Sequence, residues 1–181
     1  MRVITGKYRG RSLNGPKHQG LRPTSDRVRE SLFNIIGPKI NEAAVLDLFA
    51  GTGAIGIEAL SRGANSVVFN DHNQQSIKLI KKNLEFVDPN DQYRILHTSA
   101  ANALEILYRE GLKFDIIFLD PPFAAGILDD TIKLIADYHL LQQDGILIVE
   151  HPKKLTIDVN QFQVAKVRNY GDVSLTLLIN Q

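Results

Sequence analysis

Four consecutive residues, Asp120-Pro121-Pro122-Phe123, carry the side chains best suited to chemistry in this chain. They follow the apolar run Phe114–Leu119, and a strand formed by that run must end at the prolines, which cannot donate to a strand ladder. Each proline fixes its own φ and Asp120 is held extended, so the predicted turn is stiff. Its carboxylate and a carbonyl can accept the two N–H bonds of an amino group on a flat base, while Phe123 stacks on the ring. We predict these four residues to be catalytic; an ordinary proline-terminated strand is the alternative.

A second candidate site follows the apolar strand predicted at residues 44–49. Gly51, Gly53 and Gly56 match G-x-G-x-x-G between a predicted strand and a predicted helix. Asp71 ends the next predicted strand, 20 positions after Gly51, where a carboxylate can accept hydrogen bonds from ribose hydroxyls. The two features together predict an adenosine-type ligand, and a tight turn without a ligand is the alternative.

Asp47 narrows the choice of ligand because it lies in an otherwise apolar strand end. A buried carboxylate needs a dedicated partner, which an ammonium group such as that of a methionine moiety can supply. The backbone amides of the glycine turn are the alternative partner. The run Leu46–Gly53 resembles the first motif of class I S-adenosylmethionine-dependent methyltransferases, so S-adenosyl-L-methionine is the predicted cofactor.

A third cofactor contact is predicted in the turn Thr98–Ala103, where that superfamily often places an acid against the adenine amino group. Asn102 is the best-placed polar residue, and its amide oxygen can accept the same hydrogen bond. A helix cap without a ligand contact is the alternative. The predicted cofactor-binding residues are Asp47, Phe49, Ala50, Gly51, Thr52, Gly53, Gly56, Asp71, His72, Asn102 and Ala103.

The elements that must position these residues begin near residue 43, where short apolar runs alternate with amphipathic stretches. This alternation predicts an α/β fold with a mainly parallel sheet covered by helices on both faces. The predicted strands are Ala44–Phe49, Ser66–Asp71, Tyr93–His97, Phe114–Leu119, Gly145–Glu150, Phe162–Val167 and Val173–Ile179. The last two have no room for a helix between them and are expected to form an antiparallel pair at the sheet edge.

The region before the sheet is basic. Residues 1–30 contain eight Lys and Arg residues against two acids, a surplus of six positive charges, whereas the other 151 residues carry a net charge of −5. This asymmetry favours a basic arm that meets phosphates, and an ordinary solvated face is the alternative. We predict an N-terminal hairpin or arm over residues 1–22 and a single globular domain over residues 23–181, with a helix that starts at Thr24-Ser25 and stops at Gly37-Pro38.

Composition excludes several classes of protein. The chain has no cysteine, so disulfides, a thiolate nucleophile and Cys-based metal sites are excluded, and no metal is predicted because the five histidines lack H-x-x-x-H spacing. No apolar run approaches the ~20 residues needed to cross a bilayer, and Met1–Gly6 does not read as a secretory signal. A cytoplasmic monomer is expected. His151 is interpreted as a loop residue without a catalytic role.

The tetrapeptide 120–123 resembles the [Asp/Asn]-Pro-Pro-[Phe/Tyr] motif of amino-methyltransferases, which indicates methylation at nitrogen. The chain as a whole resembles the bacterial 16S ribosomal RNA guanine-N2 methyltransferase family. The likeness lies in the basic opening Arg2–Arg11, the segment Arg22–Asn34, the glycine loop, residues 120–123 and the late Tyr170-Gly171-Asp172. Many relatives carry Asp where this chain has Asn102.

That resemblance implies a Rossmann-like sheet whose last strand is antiparallel, and transfer of one methyl group to N2 of a guanine in 16S ribosomal RNA or an assembling small subunit. The arm then has the task of holding a large RNA by its phosphates. The predicted RNA-binding residues are Lys7, Arg9, Arg11, Arg22, Thr24 and Arg27. Arg27 can instead form an ion pair with Asp26 or Glu30.

Three other functions share parts of this pattern. A DNA adenine-N6 or cytosine-N4 methyltransferase has both motifs but usually needs a larger target-recognition region. A non-catalytic RNA-binding assembly factor would not need an intact glycine loop and residues 120–122. A glutamine-amide protein methyltransferase more typically carries Asn in place of Asp120 and has less use for a basic arm.

Overall fold

The computed structural model of the chain describes residues 1–15, 26–122 and 126–181. Seven strands of these residues form one sheet: β1 (Ala44–Asp47), β2 (Ser66–Asn70), β3 (Gln92–Leu96), β4 (Phe114–Leu119), β5 (Leu141–Pro152), β6 (Phe162–Tyr170) and β7 (Val173–Asn180). Their order is β3-β2-β1-β4-β5-β7-β6. The strands β1 to β5 pair in parallel, and β7 is antiparallel to both of its neighbours. The predicted Rossmann-like fold is therefore confirmed.

Within the described ranges, five α-helices cover the sheet: α1 (Asp26–Ile36), α2 (Ala54–Ser61), α3 (Gln74–Asn83), α4 (Ala100–Arg109) and α5 (Ile127–Asp137). Buried side chains of α1, α2 and α3 pack on one face of the sheet, and those of α4 and α5 pack on the other. Central strands enclosed on both faces are continuous apolar runs, as parallel strands of this kind must be. No helix in the described part of the chain is long and apolar enough to cross a membrane.

Several strand boundaries differ from the prediction. β6 runs three residues further than predicted, to Tyr170, and β5 ends two residues later, at Pro152, while β2 and β7 differ by one residue at one end and β3 by one residue at each end. The two other differences have a physical reason. β1 ends at Asp47 rather than at Phe49, because the chain leaves the sheet to form the glycine loop. β5 begins at Leu141 rather than at Gly145: the exposed polar residues 142–144 hide its start, and its register against β4 is irregular there. The helix α1 is described from Asp26, so its predicted start lies outside the described residues, as does the domain boundary predicted between residues 22 and 23.

The N-terminal residues form a small hairpin that is docked on the domain. Arg2 and Ser12 form an antiparallel bridge, and the amides of Ile4 and Thr5 donate to the two carboxylate oxygens of Glu58 at 2.7 and 3.0 Å. The Ser61 hydroxyl donates to the Thr5 carbonyl at 2.6 Å. The hairpin is thus fixed to α2 by hydrogen bonds that cross more than 50 positions of sequence.

One of the basic residues counted with the arm is structural. Arg29, on α1, is fully buried, and its Nε lies 4.0 Å from the equally buried carboxylate of Glu58. It also donates to the Arg2 carbonyl and to Asp26. Burial lowers the pKa of Arg29, and the nearby carboxylates of Asp26 and Glu58 oppose that shift. This guanidinium joins α1, α2 and the hairpin and is not available to a phosphate.

Candidate active site

The two motifs meet at the carboxyl ends of β1 and β4. Asp47 pairs with Phe118 in the parallel register, and the amide of Leu48 donates to the Phe118 carbonyl at 3.2 Å. The glycine loop therefore leaves the sheet beside Asp120. β1 and β4 are also the pair at which the strand order reverses, and ligands of open α/β sheets bind in the crevice at such a point. The fold brings the predicted cofactor-binding loop and the predicted catalytic turn to one edge.

The glycine loop needs its glycines for two different reasons. Gly51 and Gly53 have φ values of +54° and +76°, in the left-handed region that favours glycine. Gly56 lies inside α2, where a Cβ would come within 2.1 Å of the Phe69 ring. The first two glycines thus shape the turn, and the third lets α2 pack against β2. Ala50, Thr52 and the other predicted members of the loop lie in the same turn.

Asp47 is 1% exposed, and one of its oxygens accepts a hydrogen bond from the Gly56 amide at 3.0 Å. Burial raises the pKa of Asp47 to about 7; the Gly56 hydrogen bond opposes the shift and the charge of Asp71 adds to it. The backbone partner considered from the sequence is therefore present, yet the carboxylate is still poorly stabilised as an anion. A cationic group held beside it would restore its ionised form, so the site fits a ligand with an ammonium group.

Asp71 follows β2 and is 8% exposed. Its two oxygens accept from the amides of Gly51 and Asn73, each at 2.8 Å. A carboxylate has about four acceptor positions, so Asp71 can hold the glycine loop and still accept ribose hydroxyls. The neighbouring His72 is exposed, with its Nδ1 3.7 Å from Asp71. Both residues therefore lie beside the glycine loop, where the sequence predicted contacts with the ribose.

The prediction of a turn over Thr98–Ala103 was wrong in part, because α4 already begins at Ala100. Ser99 is the N-cap, and its hydroxyl accepts from the Asn102 amide at 3.2 Å. Asn102 is therefore not the cap; it is exposed on the first helical turn, and Ala103 is fully buried beneath it. An exposed amide at the start of α4 remains a candidate for the adenine contact.

The predicted catalytic turn follows β4 directly. Asp120 is half-buried, Pro121 is buried and Pro122 is exposed. The remaining predicted site residues lie outside the described part of the chain: Arg22, Thr24 and Phe123. Because Pro121 is buried and its φ angle is fixed, the backbone that carries Asp120 is held in place at the end of β4.

Sequence reasoning missed Asn83, a fully buried residue at the end of α3. Its amide nitrogen donates to the carbonyls of Thr52, at 2.9 Å, and Asn14, at 3.0 Å. Its oxygen accepts from the backbone and side-chain nitrogens of Asn14 at 2.7 and 2.9 Å. Asn83 thus ties the hairpin to the glycine loop. The available signal was an amide on the buried stripe of an amphipathic helix, where Ile77 and Ile80 precede it.

The predicted RNA-binding cations of the hairpin differ in their surroundings. Lys7 forms an ion pair with Asp91, whose other oxygen accepts from the Tyr8 hydroxyl at 2.6 Å. Desolvation lowers the pKa of Lys7, but the hydrogen bond and the charge of Asp91 outweigh it, so the pKa is raised overall. The Arg11 guanidinium lies 5.7 Å from the centre of the Phe86 ring. Lys7 is therefore already paired with a carboxylate of the protein. Arg11 is held over the Phe86 ring, and its guanidinium forms no ion pair with another described residue.

Arg9 and Arg27 are exposed, and neither forms an ion pair within residues 1–15, 26–122 and 126–181. The alternative in which Arg27 pairs with Asp26 was wrong, because the Asp26 carboxylate accepts from Arg29 instead. Arg9 and Arg27 are the predicted cations most available to phosphates.

His151 is not a loop residue, as the sequence suggested, because β5 extends to Pro152. It is buried, with Nε2 2.9 Å from the Thr176 hydroxyl and Nδ1 3.0 Å from the Pro152 carbonyl. These contacts explain it as a structural residue between β5 and β7. Across the described ranges, no three His, Asp or Glu side chains are grouped so that they could hold a metal ion.

Comparison with known proteins gives consistent matches. A family model described as "Conserved hypothetical protein 95" matches residues 1–179. "Ribosomal RNA small subunit methyltransferase D" of Escherichia coli K12 is 41% identical over 150 residues, covering 83% of this chain and 74% of the relative. The protein of the same name from Haemophilus influenzae is 36% identical over 182 residues, covering 99% and 94%. The solved structure of yhhF from Escherichia coli superposes with a TM-score of 0.88 at 35% identity and covers 100% of this chain and 98% of that one.

Proposed function

The chain belongs to the family described as Conserved hypothetical protein 95, and on that premise we propose that it methylates the N2 amino group of a guanine in 16S ribosomal RNA. The broader activity is that of an S-adenosylmethionine-dependent ribosomal RNA methyltransferase. The guanine and its N2 atom are the part that we propose. The observation that carries the proposal is the meeting of the glycine loop and Asp120 at the carboxyl ends of the adjacent strands β1 and β4.

The cofactor is S-adenosyl-L-methionine, and the residues of the site fit it. Asp47 is a buried carboxylate with a raised pKa, which suits an ammonium group, and Asp71 lies where ribose hydroxyls need an acceptor. The glycine loop lets the backbone approach a ligand without side chains in the way. When bound, the cofactor supplies a reactive methyl group on a sulfonium, so the protein has mainly to hold and align the acceptor.

Alignment of the acceptor falls to the turn after β4. Asp120 and a neighbouring carbonyl accept the two N–H bonds of the guanine amino group and point its nitrogen towards the glycine loop. Pro121 and Pro122 keep these acceptors in place because their φ angles are fixed. Phe123 stacks on the base as part of the same proposal. One proton leaves the nitrogen when it gains the methyl group, and in this proposal the Asp120 carboxylate, one of the two acceptors of the amino N–H bonds, takes it up.

The proposed partner is 16S ribosomal RNA or an assembling small subunit, held through phosphates by the exposed Arg9 and Arg27. We propose that the protein acts as a monomer. The proposed location is the cytoplasm, where ribosomal subunits are assembled.

The test is methyl transfer from labelled S-adenosylmethionine to unmethylated small-subunit particles, naked 16S ribosomal RNA and DNA, followed by nucleoside analysis. Labelled N2-methylguanosine from RNA or particles is the expected product. Label at another ribosomal RNA position would contradict the guanine-N2 assignment, and label in DNA would favour the DNA amino-methyltransferase instead.

A second measurement tests whether Asp120 aligns the acceptor or binds the cofactor. We expect Asp120→Ala to lower kcat by about 100-fold, because a misaligned acceptor loses most of its reactivity, while the cofactor binds as before. Asp120→Asn keeps the acceptor oxygen and should retain part of the activity. Isothermal titration with the cofactor and single-turnover kinetics separate the two effects. A loss of cofactor affinity with normal turnover would place Asp120 in the cofactor site instead.

A further inference from the structure

We propose that the exposed face of α3 is a second RNA-binding surface, which extends the hairpin and contacts the phosphate backbone of the substrate. This surface consists of Lys78, Lys81 and Lys82, and we refer to it as the α3 lysine face. The inference rests on the proposed function, because it assigns a further contact with the same RNA. None of these lysines was among the residues predicted from the sequence.

The first observation is that the three lysines have no acidic partners. They are exposed at spacings of one helical turn, α3 contains no acidic residue, and none of the three forms an ion pair with another described residue. Exposed cations on the other face of the sheet are different: Arg109 pairs with Glu105 and Lys133 pairs with Asp137, both within one turn of their own helix. The α3 lysine face therefore keeps its full positive charge.

The second observation is that the hairpin is anchored to the C-terminal end of α3. Arg11 lies over the ring of Phe86, three residues beyond the end of α3, and Tyr8 packs edge-on against the same ring with centroids 5.6 Å apart. At the end of the helix, Asn83 holds Asn14 of the hairpin. The cations of the hairpin are thereby held in a fixed position relative to the lysines of α3, so an RNA molecule large enough to reach both groups can contact both.

The third observation is the position of α3 relative to the cofactor site. The helix starts directly after Asp71, and its N-cap Asn73 donates its own amide to that carboxylate at 2.8 Å. Its last residue, Asn83, donates to the carbonyl of Thr52 in the glycine loop. Phosphates held on the α3 lysine face are therefore held at a fixed distance from the cofactor loop.

Helix stability offers a competing explanation, because Lys81 and Lys82 lie in the last turn and favour the helix dipole. It does not account for Lys78, which lies a turn earlier. It also predicts an effect on thermal stability alone. Lysine binds phosphate as a point charge and reads no sequence, so the partner that fits this face is the RNA backbone rather than a base.

The test compares two triple variants with equal changes in charge. Lys78→Gln, Lys81→Gln and Lys82→Gln remove the α3 lysine face. Lys39→Gln, Lys113→Gln and Lys133→Gln are the control, because these lysines are also exposed but lie on or near other elements: Lys39 just after α1, Lys113 just before β4 and Lys133 in α5. The readouts are KM for small-subunit RNA between about 50 and 200 mM salt, together with KM for the cofactor and kcat.

We expect removal of the α3 lysine face to raise KM for RNA at least tenfold at low salt and to reduce the slope of log affinity against log salt by about 2 to 2.7, since each of the three lost phosphate contacts contributes about 0.7 to 0.9. Cofactor KM and kcat should stay unchanged, and the control should behave as wild type. An unchanged salt slope, or an equal loss in the control, would overturn the proposal. If wild type methylates no RNA, the proposed function fails, and equilibrium binding of both variants to a 16S RNA fragment then decides the role of α3 separately.

Discussion

At the scale of single residues, Asp47 has the most unusual environment in the site. It is almost fully buried and its pKa is raised to about 7, mainly by desolvation. A cation beside it favours the ionised form, so binding of the cofactor must be linked to release of the proton from Asp47. We therefore propose that Asp47 gives up its proton when it meets the ammonium group of the cofactor.

That linkage predicts the pH dependence of cofactor affinity. Below the pKa near 7, affinity should fall by up to about tenfold per pH unit, because the ionised fraction of Asp47 falls by that factor. Asp47→Asn should bind the cofactor weakly with little dependence on pH. Isothermal titration between about pH 5.5 and 7.5 checks both. A wild-type affinity that is constant across this range would exclude Asp47 as the group that titrates on binding.

The same pKa shift affects stability in the opposite direction. Because the folded pKa of Asp47 lies above its ordinary value, the free energy of unfolding of the ligand-free protein should fall as pH rises from about 4 to 7. Asp47→Asn should lack this part of the decline. Urea unfolding at several pH values measures it, and the comparison with wild type isolates Asp47 from other carboxylates.

Asn83 was not found from the sequence because its partners are remote. It lies 69 positions from Asn14 and 31 from Thr52, so no local pattern reveals its role. Arg29 and Glu58 were missed for the same reason, since the sequence counts charges and does not tell which of them are buried together. By contrast, the glycine loop and the turn at Asp120 were predicted, because each is a local motif between a strand and its following turn.

Replacing Asn83 tests its role. Asn83→Ala leaves the carbonyls of Thr52 and Asn14 without their buried donor, and we expect a loss of about 1 to 3 kcal/mol in the free energy of unfolding. The glycine loop should also bind the cofactor less tightly. Asn65→Ala is the matched control, since Asn65 is exposed. Chemical denaturation and cofactor titration of both variants provide the measurements, and equal effects in the two would rule out a specific role for Asn83.

At the scale of secondary-structure elements, the packing of α2 on β2 sets the position of the glycine loop. The apolar runs of β1, β2 and β4 made these strands predictable, because central parallel strands are buried on both faces. The start of β5 was not predictable, because the exposed polar residues 142–144 separate the buried Leu141 from the apolar run and the register is irregular there. A buried strand can be recognised from its run of apolar residues, whereas an exposed polar segment that pairs in the sheet has no such run.

The contact between α2 and β2 can be measured through Gly56. In Gly56→Ala the new Cβ would come within 2.1 Å of the Phe69 ring, so the helix or the ring must move. We expect a loss of about 1 to 3 kcal/mol in the free energy of unfolding. Gly15→Ala is the control, because a Cβ there meets nothing within 4 Å and its effect should stay within about 0.5 kcal/mol. A Gly56→Ala protein as stable as wild type would contradict the packing.

At the scale of the whole molecule, the surplus of positive charge counted over residues 1–30 is only partly available at the surface. Of the eight basic residues among the first 30, Arg29 is buried beside Glu58 and Lys7 is paired with Asp91. The positive potential that an approaching RNA meets therefore depends on fewer side chains, among which Arg9 and Arg11 are exposed on the hairpin.

We expect Arg9→Gln with Arg11→Gln to weaken RNA binding and to lower the salt slope by about 1.5 to 2, because two phosphate contacts are lost. Lys7→Gln should change the slope less, since its charge is already balanced by Asp91. Equilibrium binding to a 16S RNA fragment at several salt concentrations gives the slopes. An unchanged slope in the double variant would show that the hairpin takes no part in holding phosphates.

The docking of the hairpin on Glu58, Ser61 and Asn83 also fixes an order of events during synthesis. Residues 1–15 leave the ribosome before α2 and α3, because the groups that hold them lie 53 or more positions later in the chain. The hairpin must therefore wait, exposed, until α2 and α3 have emerged and packed, and closing such long loops is slow. Asn83 holds both the hairpin and the glycine loop, so a nascent chain acquires an ordered basic hairpin and an ordered glycine loop together.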